Sequence, residues 1–248
     1  IPDPSTYTDE QIAEGVGFMN TISAEALPDD PPTPVAEAIA AHRSTPERVR
    51  RWTVRVRDEG GALVGSVGFR VDPDHDDNPD ILWASPTVAA GHRQRGIGTQ
   101  LLAYLVAKAQ AEGRSRLVGS SNDRLPGGGP FAQAVGAEEK QAMHMNHLLI
   151  AELDRELMTR WNDEGPVRAP DYELISWSGP VPEEHLEQFL DIVLVMNTAP
   201  RDDLELNDFT LTAEQIREGE KQLAAIGGEN WVVVARRKSD GEWAGFHD

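Results

Sequence analysis

Residues 93–98 read Arg-Gln-Arg-Gly-Ile-Gly, placing two guanidinium groups and two bare backbone positions within six residues. The spacing of the next residues predicts a helix: Ile97, Leu101, Leu105 and Ala109 share one face over 97–111, and Gly113 ends it. The glycines therefore stand at a helix mouth. The first turn of a helix has four backbone N–H groups with no intrahelical partner, and the dipole adds roughly half a positive charge there. Anion binding is the chemistry this suits, with Arg93 and Arg95 as fork-shaped clamps on a diphosphate. The plainer alternative, a helix softened by a glycine cap, stays open on these residues alone. Two known phosphate motifs do not fit. A P-loop needs a lysine where Ile97, Gly98 and Thr99 stand, and a dinucleotide fingerprint needs a glycine in place of Leu101.

The elements around this loop alternate. Residues 9–27 read as a helix, with Ile12, Val16 and Met19 at helical spacing, leading into the loop PDDPPTP at 28–34. A second helix is expected from 35 to 51, with a break near Pro46. Residues 52–57 alternate as a half-buried strand, DEGG turns, and LVGSVGFRV returns. Residues 81–88 read as a buried strand, where Pro86 argues for an edge, a bulge or a splayed end. The next strand is 116–121. RLPGGGPFAQAVG reads as a loop and short helix ending near Gly136, its glycines either a mobile loop or a flap over a ligand. Late strands are expected at 141–150 and 172–177, with a helical linker over AELDRELMTRWND and a domain joint at GPVRAP. Strand, helix, strand order gives an α/β (α+β) layer with helices packed on a sheet.

A repeat organises the whole. MNTISAEALPDD begins at Met19 and MNTAPRDDLELND at Met196; WTVRVRDEGGALVGSVGF begins at Trp52 and WVVVARRKSDGEWAGFHD at Trp231. Met19 to Trp52 is 33 residues and Met196 to Trp231 is 35; Trp52 to Gly65 is 13 and Trp231 to Gly245 is 14. The order and spacing point to two copies of one unit. The first copy lacks a counterpart of YELISW, and the second has no counterpart of GHRQRGIG.

Bulk properties narrow the partners. The 248 residues carry 42 acidic and 23 basic side chains, a formal net charge of -19. No basic face for nucleic acid is visible, and anionic lipid is an equally poor partner. The field suits a cationic small molecule or a basic peptide better. With no cysteine, disulfides and thiolate chemistry are excluded. His144 and His147 would face opposite ways on a strand, so no metal site is expected. No run of 18 apolar residues exists, and no leader is visible, which makes the cytoplasm the default expectation.

VAAGHRQRGIGTQLL resembles the acyl-CoA-binding motif of the GNAT family of N-acetyltransferases. The family pattern is Arg or Gln, two residues, Gly, one residue, then Gly or Ala, met here by Arg93, Gly96 and Gly98. Val88 matches the valine ending the preceding strand, Ala90 replaces the usual proline, and His92 stands where an aromatic or His is common. Phe131 and Gly136 match the closing element. The resemblance covers residues 8–150, and residues 172–248 look like the front half of a second such domain, as in tandem members that include mycothiol synthases.

The resemblance implies a GNAT-like acyl-CoA N-acyltransferase fold, a mixed central sheet flanked by helices. It implies two tandem copies: residues 1–165, expected to lack their first strand, and the incomplete 171–248. It implies acetyl-CoA between diverging strands 81–88 and 116–121, its pyrophosphate on Arg93, Gln94, Arg95, Gly96, Ile97, Gly98 and Thr99. Val88 and Ala89 would pair with the pantetheine arm and donate to the thioester oxygen, and Asn122 would contact the cofactor or make a turn. The reaction implied is acetyl transfer to a primary amine of a small cationic acceptor. Asp80, Ser85 and Glu25 are the candidate base positions, each with an ordinary structural reading beside it. Ala132 falls where the family has an acid tyrosine. That leaves open a second reading, a non-catalytic acyl-CoA-binding or structural module. A homodimer is also open.

Overall fold

The computed structural model describes residues 6–248. They divide into two compact units, the first ending at Glu138 and the second running from Glu139, residues 225–227 excepted. Residues 1–5, the start of the first expected domain, lie outside the described residues.

In the first unit α1 (Asp9–Ala26) opens with a capping box, in which Thr8 and Gln11 each accept the other's backbone N–H. It buries Ile12, Phe18, Ile22 and Ala26. The expected stripe through Met19 is corrected: Phe18, Ile22 and Ala26 set the inner face at four-residue spacing, and Met19 one position on is 45% exposed. α2 (Val35–Arg43) stops well short of residue 51. Pro46 has no N–H to give and disfavours helical geometry at Thr45, so the chain turns and enters β1 (Arg50–Arg57). β1 pairs antiparallel with β2 (Leu63–Val71) around a turn in which Gly61 takes φ +84°.

The expected single strand over 81–88 is two short ones. β3 (Ile81–Trp83) pairs in parallel with β5 (Arg116–Val118), while β4 (Thr87–Val88) pairs antiparallel with β2. Residues 84–86 carry the chain from one sheet to the other. Between β4 and β5 runs α3 (Ile97–Ala111), with Leu101, Leu105 and Ala109 buried as their spacing predicts. They pack with Val67, Phe69 and Val71 of β2 and Leu82 of β3 into one core, with Ile97 at its edge. Gly65 permits the close approach of helix to sheet, since a Cβ there would lie 2.8 Å from Ile97 Cγ2.

Two further expectations are corrected. The glycine run is not loop throughout: Gly128 and Gly129 open α4 (Gly128–Ala134), and a Cβ on Gly128 would fall 1.9 Å from Ser121 Oγ. Residues 141–150 form no strand: no ladder forms there, and Met143, Leu148 and Ile150 are exposed. Alternation of side chains cannot make a strand without a partner to pair its backbone.

The second unit contains α5 (Arg155–Arg168), β6 (Tyr172–Ser178), α6 (Leu186–Leu194), α7 (Ala213–Ala225), β7 (Trp231–Arg237) and β8 (Trp243–His247). GPVR of the expected joint continues α5, Pro166 included. The sheet is antiparallel in the order β6-β7-β8, over a core of Val181, Leu186, Phe189, Val232 and Val234.

The repeat is visible in the register. Val56 opposes Gly65 in the first hairpin and Ala235 opposes Gly245 in the second, and each ladder is irregular at the next residue, Arg57 and Arg236. The asparagine of each MNT has the same task. Asn20 donates to Thr33 O and accepts from Thr33 N–H, both at 3.0 Å. Asn197 does the same with Phe209, at 2.9 and 3.0 Å. Each amide brackets one residue of the segment leading to the next helix.

Leu105 is 1% exposed at the centre of the α3–β2 contact. Leu105→Ala is expected to lower unfolding stability by about 2–5 kcal/mol, read as a lower urea midpoint with an unchanged slope.

Candidate functional site

The site is made where two strands part. β3 and β5 stay joined through Ala84 N–H to Val118 O (3.0 Å) and through Ser120 N–H to Ser85 Oγ (2.9 Å). Past these bonds residues 87–88 cross to β2 and residues 119–121 run on toward α4. In the β2–β4 ladder Ala89 N–H donates to Val64 O, so by the alternation of an antiparallel pair Val88 turns its N–H and C=O away from β2, into the gap. Pro86 has the same parity, and its missing N–H is lost where no strand faces it.

The chain then makes a short 3₁₀ turn (Ala90–His92) and two left-handed steps, Gln94 at φ 59° and Gly96 at φ 81°, before α3 begins at Ile97. Left-handed steps flanking Arg95 shape a backbone concavity suited to an anion. No side chain caps the helix, and Gln100 N–H to Gly96 O is its first intrahelical bond, which leaves the N–H groups of Ile97, Gly98 and Thr99 without helical acceptors. A Cβ on Gly96 would meet open space, so its need for glycine is the positive φ. Gly98 is bare for another reason: a Cβ there would press on the Phe131 ring at 3.3 Å. Arg95 is exposed at this mouth.

Arg93, expected to clamp the mouth, is engaged elsewhere in this structure. Its Nη1 and Nη2 donate to the two carboxylate oxygens of Glu25 at 2.5 and 2.6 Å, and its Nε donates to Val88 O at 3.0 Å. This also makes Glu25 a weaker base than a free carboxylate, because the Arg93 hydrogen bonds hold its carboxyl below the usual range. Asp80 is likewise unsuited. It lies at the far end of β3, eight residues before Val88 or up to about 26 Å of extended chain, and Arg116 Nε at 2.6 Å holds its carboxyl low. Ser85 latches the two strands at the point of parting. Asn122 Oδ1 accepts from Arg124 N–H, a turn-making role. Arg124, which carries no sequence signal, sends Nη1 to Ala26 O at 3.3 Å.

A sequence model of the acetyltransferase (GNAT) family matches residues 17–125, the segment holding this gap and loop. The match to that family is confined to this segment, which falls within the first unit. Among solved structures the chain is similar to a tandem GNAT protein from the clavulanic acid biosynthesis pathway, solved without AcCoA. That match has 18% identity and a TM-score of 0.62, covering 98% of this chain and 70% of the other. It is also similar to a ribosomal-protein-alanine N-acetyltransferase from Brucella melitensis biovar Abortus 2308, at 20% identity and TM-score 0.42, covering 57% of this chain and 96% of the other. No curated protein matches by sequence. The tandem likeness extends the GNAT-like fold over both units. No helix among the described residues is long and apolar enough to cross a membrane.

The Glu25–Arg93 pair has a pH signature. A carboxyl held low in the fold contributes stability above its unfolded pKa and loses it as pH falls through the folded one. The stability gap between the wild-type protein and Glu25→Gln, measured by urea midpoints, should be constant from neutral pH to the ordinary carboxylate range and close only below it.

Proposed function

We propose that this chain binds acetyl-CoA in the gap between β4 and β5 and transfers its acetyl group to a primary amine of a small cationic acceptor. The observation that carries the reading is the parting of parallel strands beside an uncapped helix mouth. The residues fit the group: a diphosphate needs clustered N–H donors and a cation, which Gly96 to Thr99 and Arg95 supply. The amide-bearing arm needs an unpaired strand edge, which the Val88 N–H begins. When bound, acetyl-CoA supplies an activated acyl group as a thioester.

The chain's own part is placement. Val88 N–H faces the gap as a donor to an oxygen held there. Glu25 and Asp80 are bound by arginines, so neither stands as a free carboxylate to take the acceptor's proton. The net charge of -19 favours a cationic acceptor, an aminocyclitol conjugate of the mycothiol-synthase type being one member of that class. One observation favours the non-catalytic reading: α4 reads GGPFAQA, with Ala132 rather than a tyrosine beside Phe131.

Calorimetry with acetyl-CoA, paired with thiol release over a panel of small amines, separates the two. Binding with amine-dependent release supports the enzyme. Binding without release from any acceptor would favour the module, and no binding would end the donor-site reading. Arg95→Ala is expected to weaken acetyl-CoA about tenfold or more, as a charge-assisted hydrogen bond to phosphate is lost.

A further inference from the structure

The last turn of α1 is held from both arms of the gap. From the β4 arm, Arg93 engages Glu25 with both terminal nitrogens and Val88 O with Nε. From the β5 arm, Arg124 reaches Ala26 O, and its own N–H is fixed by Asn122. Cations at a helix C-terminus are favoured by the dipole. The first half of α1 is fixed separately, through Glu14 to Arg55 and Arg57 of β1. The helix is thus a bar anchored to the sheet at one end and to both arms at the other. Glu25 and Arg93 lie 68 residues apart, yet their side chains are only 30% and 24% exposed, a shielded and two-pronged contact.

We propose that Glu25 is a positioning residue for the donor site: by filling the Arg93 fork it locks the end of α1 to the β4 arm and sets the width of the gap. The inference rests on the donor-site reading above. It makes Arg93 a brace for the arm that receives pantetheine, and leaves diphosphate binding to Arg95 and the open amides.

The test compares two ligands by calorimetry. One is acetyl-CoA. The other is adenosine 3′-phosphate 5′-diphosphate, which keeps the phosphates and lacks the arm. Glu25→Gln and Arg93→Gln should each weaken acetyl-CoA about tenfold and leave the nucleotide unchanged, which also certifies the fold. The double variant should be no weaker than Arg93→Gln alone, because that variant already removes the Glu25 contact. Three results overturn the proposal. Glu25→Gln could leave acetyl-CoA unchanged or bind it more tightly while Arg93→Gln weakens both ligands; Arg93 is then a phosphate clamp that Glu25 masks. The losses could be additive. Nucleotide binding could fall with acetyl-CoA in Glu25→Gln, making the pair a general structural contact. A wild-type protein that binds neither ligand would remove the donor site itself, and the brace with it.

Discussion

One strand cannot pair with two neighbours on the same edge, and the site is a result of how residues 81–88 divide their hydrogen bonds. Their first half belongs to β5 and their second half to β2. The change of allegiance leaves Val88 with no strand paired on its outer edge, its C=O met there by the Arg93 side chain. A gap that closed on itself would recover those bonds, so something must keep it open. Packing does so from below, where Leu101 and Leu105 of α3 lock β2 and β3 into one core. The brace between α1 and the two arms does so from the side.

The electrostatics of the unit show why the loop is unusual. In a chain with 42 carboxylates against 23 basic groups, arginines are readily claimed. Arg114 is held by Asp76, Arg116 by Asp80, Arg48 by Asp72 and Arg57 by Glu14. Arg93 obeys that rule. Arg95, one step beyond the left-handed turn at Gln94, projects from a segment that offers backbone donors instead of carboxylates. A local surplus of positive potential is thereby kept within a strongly acidic molecule.

Much of this is legible in the residues. Apolar spacing over 97–111 fixes α3, and the glycines before it mark an uncapped mouth, because both signals are local. The repeat is legible from Trp52, Gly65, Trp231 and Gly245, and the two hairpins share register down to the same irregularity. What is not legible depends on distant partners. Nothing near Arg93 announces a carboxylate 68 residues earlier in the chain. Asp80 looks placed for chemistry because it begins the right strand, but a strand has two ends and it occupies the wrong one. The stretch 141–150 shows the same limit: alternation describes the side chains of a strand, and only a neighbour can make one.

The two bracketing asparagines carry a consequence for how such domains diverge. Asn20 grips a residue 13 positions on, and Asn197 one 12 positions on. The grip is made to backbone, so it does not depend on which residue is held. The ground between anchor and grip is therefore free to change in length and composition while the joint stays put. A duplicated ancestor could rewrite that span in each descendant copy, and with it whatever the span encounters, without disturbing the scaffold beneath.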